Sequence, residues 1–165
     1  MLLLRYAGLV ALTVWVGGLI VLGGIAAPSI FNVLAERHVP GDRVLAGAVF
    51  GEALRRFHLL SYACGVVLAG TLLTRGVLGP RPVGFAARLG IAAVMIAATL
   101  YSGLVVSSRI GAAQAAIGVA PSSLPEGDPR RVAFGRLHAT STGLLMVPLL
   151  GGLFLVFREL KDSSR

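Results

Sequence analysis

Four apolar runs, separated by short turns rich in proline and glycine, constrain this chain more than any other feature. They cover about residues 3–36, 43–76, 85–117 and 129–160. A bilayer's hydrocarbon core, ~30 Å thick, is crossed by about 20 apolar residues in a helix. Lipid offers backbone groups no hydrogen bonds, so such runs become helices. The second run, from about Arg43 to Arg75, would be roughly 50 Å long, so part of it projects or is sheltered by its neighbours. The fold expected is an all-α membrane protein, a four-transmembrane-helix up-down-up-down bundle. It forms one domain over 1–160, and 161–165 is a frayed polar tail.

Composition agrees. The chain is 56% hydrophobic and 13% charged, with a mean hydropathy of +0.85, whereas soluble domains hold about 45–50% apolar and 25% charged residues. The net charge of +8 is scattered over segment ends, which fits membrane anchoring and not nucleic-acid binding. One cysteine, Cys64, excludes an internal disulfide or a cysteine metal cluster and reads as a small packing residue.

Punctuation sets the details. The first run is too long for a signal peptide's apolar region and passes through Trp15 into Pro28, so it reads as a retained helix kinked at Pro28. Asp42 and Asp128 are candidate N-caps, the latter ahead of Pro129 as first helical residue. A second kink is expected at Pro148. No internal repeat is evident residue by residue, although the proline-containing turns after the first and third runs share a layout. The two sides carry nearly equal basic residues, and the short acid-free turn 76–83 favours both termini in the cytoplasm of a bacterial inner membrane.

Polar residues meet at one depth. His58 lies 17 residues before Arg75 and His138 lies 20 before Arg158, roughly 26 and 30 Å of helix. Counting up from Arg5 reaches Gly23 and Gly24, and from Arg88 reaches Ser107, Ser108 and Arg109. Glu52 can pair with Arg56 at i,i+4 but is the only acid facing Arg55, Arg56, Arg109 and Arg136. These four are candidate contacts for an anion or a lipid headgroup. His58 and His138 read as interfacial residues hydrogen-bonded nearby. The alternative is haem b or a metal ion held between the second and fourth helices, both imidazoles being ligands.

No catalytic constellation is present: there is no Gly-x-Ser-x-Gly elbow and too few intramembrane carboxylates for proton-coupled transport. Trp15, Gly17, Gly18, Gly23, Gly24, Gly47 and Gly51 read as helix-packing residues. The function expected is therefore a non-enzymatic accessory or structural subunit in contact with lipid and with other membrane subunits or a second copy. The alternatives are a haem- or metal-binding redox protein and a small transporter or anionic-lipid binder.

Several stretches together carry a likeness. They are Trp15-Val-Gly17-Gly18, Ala27-Pro28 with Phe31, Ala46-Gly47-Ala-Val-Phe50-Gly51, Leu124-Pro-Glu-Gly-Asp-Pro-Arg-Arg131, and Phe134-Gly-Arg-Leu-His138 with Ser141. In this combination the chain resembles the transmembrane protein 205-like family of small four-helix membrane domains of unknown function. The resemblance implies the same bundle and no reaction, and it marks Arg131, Phe134 and His138 as parts of one shared feature. A more distant likeness, to copper-resistance membrane domains, rests on topology and histidine placement.

Overall fold

Each apolar run folds as one long helix in the computed structural model, which describes residues 1–38, 40–79, 81 and 83–163, the last without its side chain. Helix α1 is Leu2–Val21, followed by a π-helical turn, Leu22–Ala26, and α2, Ala27–Glu36. After a turn comes α3, Asp42–Leu78. The second half repeats this order with α4 (Phe85–Tyr101), a π-helical turn (Ser102–Val106), α5 (Ser107–Ile117), a short 3-10 turn (Pro121–Ser123) and α6 (Pro129–Ser163). All four spans are long and apolar enough to cross a membrane. The packed pairs are α1–α3, α3–α4, α4–α6 and α6–α1, so the helices form a square with α3 and α6 at opposite corners. The protein is an all-α, four-span bundle, as the apolar runs predict.

Four local features differ from the sequence reading. The break in the first span is the π turn, one residue before the segment holding Pro28. Proline lacks an N–H and its ring clashes with the carbonyl four residues back, here Gly24, and a wider turn at 22–26 lets the helix continue. The second π turn has no proline; the backbone N–H of Ser107 reaches Ser102 O, and its hydroxyl donates to the same oxygen at 3.0 Å. Helix α3 is capped by Gly41 at φ 70°, with Asp42 already inside, because a left-handed cap residue favours glycine. Finally, α6 runs unbroken through Pro148 and into the expected tail, where Arg88 holds Asp162 at 2.6 Å.

The two halves repeat one element order and one burial pattern. Matching the π turns (Leu22 with Ser102, a shift of 80) pairs Leu12 with Ala92, Trp15 with Met95 and Leu19 with Thr99, all buried. Matching Phe50-Gly51 with Phe134-Gly135, a shift of 84, pairs Cys64 with Pro148, Leu68 with Gly152 and Thr71 with Leu155, again all buried. The burial pattern repeats while the residue types do not, so the repeat is invisible to residue matching. Trp15 and Met95, each from its own half, are fully buried at the centre, with Leu12, Leu68, Leu72 and Leu155 around them. In lipid this core is held by close contact and polar links between helices.

Candidate functional site

Charge is concentrated inside the bundle at the end that carries both termini. Glu159, on α6, is 6% exposed and accepts from helices at the other three corners. Arg5 of α1 donates Nε–H at 2.9 Å, Arg75 of α3 approaches at 3.1 Å and Arg88 of α4 at 2.5 Å. Arg88 is 2% exposed and also donates to Asp162 at 2.6 Å and to the Arg158 carbonyl at 3.1 Å. One carboxylate thus joins all four helices. Ionised groups survive burial only when paired and hydrogen-bonded. A cavity of about 20 Å³ lies beside them, lined by Gly8 and Thr71 as well as by the three arginines and Glu159. It has room for about one water, and Arg88 Nε, buried without a partner among the described residues, lines up with such a use.

In the sequence Arg5, Arg75 and Arg88 serve as depth markers, and Glu52 stands out as the one acid set against the other arginines. Glu52 is instead half-exposed, and Glu159 is the buried one. A signal was present: Glu159 and Asp162 are one helical turn apart, level with three arginines near helix ends.

The two histidines are not brought together. His58 is buried on α3 and stacks on Tyr62, with ring centroids 6.2 Å apart. Gly103, in the second π turn, leaves space for both: a Cβ there would lie 3.0 Å from His58 Cγ and collide with the Tyr62 hydroxyl. Neither ring nitrogen of His58 has a partner within the described residues. His138 sits exposed at the opposite corner, parallel to Phe134 at 6.4 Å. No group of three His, Cys, Asp or Glu close enough for a metal ion occurs among the described residues.

Farther along, the exposed arginines fall at one level. Arg55 lies 20 residues before Arg75, Arg109 lies 21 after Arg88, and Arg136 lies 22 before Arg158, about 30–33 Å of helix in each case. That separation equals the hydrocarbon thickness. Glu52 accepts from Arg55 at 2.7 and 2.8 Å and from Arg56 at 2.7 Å. Arg109 and Arg136 have no carboxylate partner among the described residues.

Past this belt each half packs mainly on itself, α2 on α3 and α5 on α6, and neither α2 nor α5 contains a buried residue. Arg43 Nη1 donates to Ser122 Oγ at 2.9 Å, linking the two halves. Arg131 Nη1 donates to the Leu124 carbonyl at 2.7 Å and folds the 118–129 loop against α6. Asp128 caps α6 by accepting the backbone N–H of Arg130 at 2.8 Å; the Arg130 guanidinium beside it holds the Asp128 carboxyl below the usual range. Of the six glycines read as packing residues, Gly18 lies against Phe57, while a Cβ at Gly17, Gly23, Gly24, Gly47 or Gly51 would meet nothing within 4 Å. Trp15 is buried at the centre.

No curated protein and no solved structure matches this chain. The family described as Domain of unknown function (DUF4149) matches residues 10–118, from within α1 to the end of α5 and short of the helix that carries Glu159. That match spans 109 of 165 residues, so the protein is a membrane-spanning member of the DUF4149 family.

Proposed function

We propose that this protein is a non-catalytic subunit of a larger membrane assembly, docking through the half that projects past the Arg55, Arg56, Arg109 and Arg136 belt. The observation that carries this reading is the uncovered apolar surface beyond that belt. Phe31 and Val33 on α2, Leu45 and Val49 on α3, and Val132 on α6 are all exposed. Inside the hydrocarbon such residues would face lipid and mean nothing. In the aqueous zone exposed apolar residues on several helices are where a protein interface is expected. Gly47 and Gly51, one turn apart with open space above them, offer the close approach that helix pairs use. The belt arginines serve as headgroup contacts that fix the depth of the bundle. The terminal ion cluster holds the four helices in register, so the projecting half is presented on a rigid base.

The wild-type protein, extracted in mild detergent and moved to lipid nanodiscs, is expected to run as a complex with a second copy or another membrane protein. Replacing Phe31 and Val49 together by aspartate should weaken that association at least about tenfold, since two apolar anchors are worth over 1.4 kcal/mol, with no change in thermal unfolding of the bundle. A wild-type protein that stays a lone monomer at every concentration overturns the reading.

We also propose a bacterial inner membrane with both termini in the cytoplasm, supported by the short acid-free turn between α3 and α4. Cysteine introduced at Ser123 should react with an impermeant maleimide in intact cells, and cysteine at Val83 only after permeabilisation. The reverse pattern refutes this orientation. The narrower likeness to transmembrane protein 205-like domains rests on the stretches quoted above and adds no reaction. Haem b or a metal ion held by His58 and His138 is the weaker reading, because the two imidazoles stand on opposite corners; a Soret band in the purified protein would restore it.

A further inference from the structure

The two halves of the chain part at the π turns. Nearer the termini, α1 packs on both α3 and α6, and so does α4. Beyond the turns, α2 stays on α3 and α5 stays on α6. Each half thus continues as a two-helix arm. Near the tips the arms are joined by Arg43 Nη1, which donates to Ser122 Oγ at 2.9 Å in an exposed position. Leu22 is 17 residues past Arg5 and Ser102 is 14 past Arg88, about 21–26 Å of helix. Both π turns therefore lie just inside the outer edge of a ~30 Å hydrocarbon core.

Burial shows how firmly the arms are held. Among the described residues, 22–56 include one buried residue, Ala46, and 107–140 include none. Segments with so few buried contacts open at little cost. Helices also bend at π turns, where one wide turn interrupts the regular hydrogen-bond ladder. Two arms hung on π turns at one level can swing without unfolding a helix.

Polar groups go unpaired where the arms meet. His58 is 3% exposed, and Ser102, the first residue of the second π turn, is 0% exposed. Neither ring nitrogen of His58 nor the Ser102 hydroxyl has a hydrogen-bond partner among the described residues. Ser61 Oγ, one turn along α3 from His58, is in the same state. His58 and Tyr62 lie against Gly103, so these side chains of one arm bear on the π turn of the other. A buried polar group without a partner forfeits the hydrogen bonds that water would give it. Parting the arms admits water from the projecting side and restores them.

We infer that this chain has a second conformer, in which the arms swing apart at the two π turns and water reaches His58 and Ser102. The conformer with Arg43 on Ser122 is the closed member of the pair. The motion belongs to this chain alone and holds whether or not the projecting half docks on a partner.

Arm separation is measured by pulsed dipolar spectroscopy on the full-length protein in phosphatidylcholine nanodiscs. Spin labels are attached to cysteines introduced at Asn32 of α2 and Ala115 of α5, both exposed, in a Cys64→Ala background. Two distance populations are expected. Arg43→Ala, which removes the link at the tips, should raise the ratio of long to short distances about fivefold. Ser102→Ala, which deletes an unpaired hydroxyl, should lower it about fivefold, the weight of one net hydrogen bond of ~1 kcal/mol. A single distance that neither substitution changes means rigid arms and overturns the inference. A shift toward longer distances in S102A also overturns it, because the hydroxyl would then be satisfied in the closed state. The unlabelled protein gives a second readout that does not depend on C64A folding. The Ser107 amide, which donates to the Ser102 carbonyl, should exchange with deuterium about fivefold more slowly in S102A than in wild type; equal rates overturn the inference.

Discussion

Glu159→Gln is expected to destabilise the bundle by about 3–5 kcal/mol, the usual result of leaving buried charges uncompensated. The glutamine keeps the shape and can still accept hydrogen bonds, so the loss isolates the charge. Glu159 is met by Arg5, Arg75 and Arg88 from three different helices, and no other carboxylate among the described residues touches more than two of these elements. Removing one cation is expected to do less. Arg88→Met strips Glu159 of one partner of three and leaves a side chain of similar length that suits an apolar surrounding, so its loss should be about half as large or smaller. Cys64, buried and the single cysteine, provides the measurement: a thiol-reactive fluorophore lights up as heating exposes it. The midpoint of E159Q should fall by on the order of 10 °C. An unchanged midpoint, or a larger fall in R88M than in E159Q, would show that Glu159 is not the hub.

The cluster also shows what a sequence can and cannot reveal in such a protein. Hydropathy alone yields four spans, because nothing else satisfies backbone groups in lipid. It also yields the depth of the arginines, since helix rise converts residue number into ångströms. Azimuth is what it does not yield. Arg88 and Arg81 look alike in the sequence, yet one is buried against Glu159 and the other is exposed beside the α3–α4 turn. His58 and His138 share a depth and still stand on opposite corners. The moments of these helices are blurred because both faces are apolar, one toward the core and one toward lipid, so periodicity carries little about which face is inside. The π turns add to the difficulty. Each inserts a residue and rotates the rest of its helix, and only one of the two is announced by a proline.

The same limit governs the glycines, and it yields the second large effect. Gly152 was not among the glycines whose spacing suggested packing, yet α6 crosses α1 there. A Cβ at Gly152 would overlap Val16 Cγ2 and touch Met95 Cε at 3.5 Å. Val16 is buried and β-branched, so its χ1 has one comfortable setting in a helix and it cannot rotate away. Met95 could flex, but it is fully buried at the bundle centre. Gly152→Leu must therefore push α6 away from α1, and overpacking of this kind costs about 1–3 kcal/mol or more. The displacement also pulls Glu159, two turns farther along α6, away from Arg5 on α1, so G152L and E159Q should be less than additive, as sites sharing one structural unit are. Gly47→Ala is the contrast: nothing lies within 4 Å of the added methyl, and alanine in a helix interior is favoured over glycine by about 0.8–1 kcal/mol. The thiol-fluorophore midpoint should thus rise slightly in G47A and fall in G152L. If instead G47A falls as steeply as G152L, the projecting half of α3 is itself covered in the folded protein, and the docking face is occupied by this chain's own partner even in detergent.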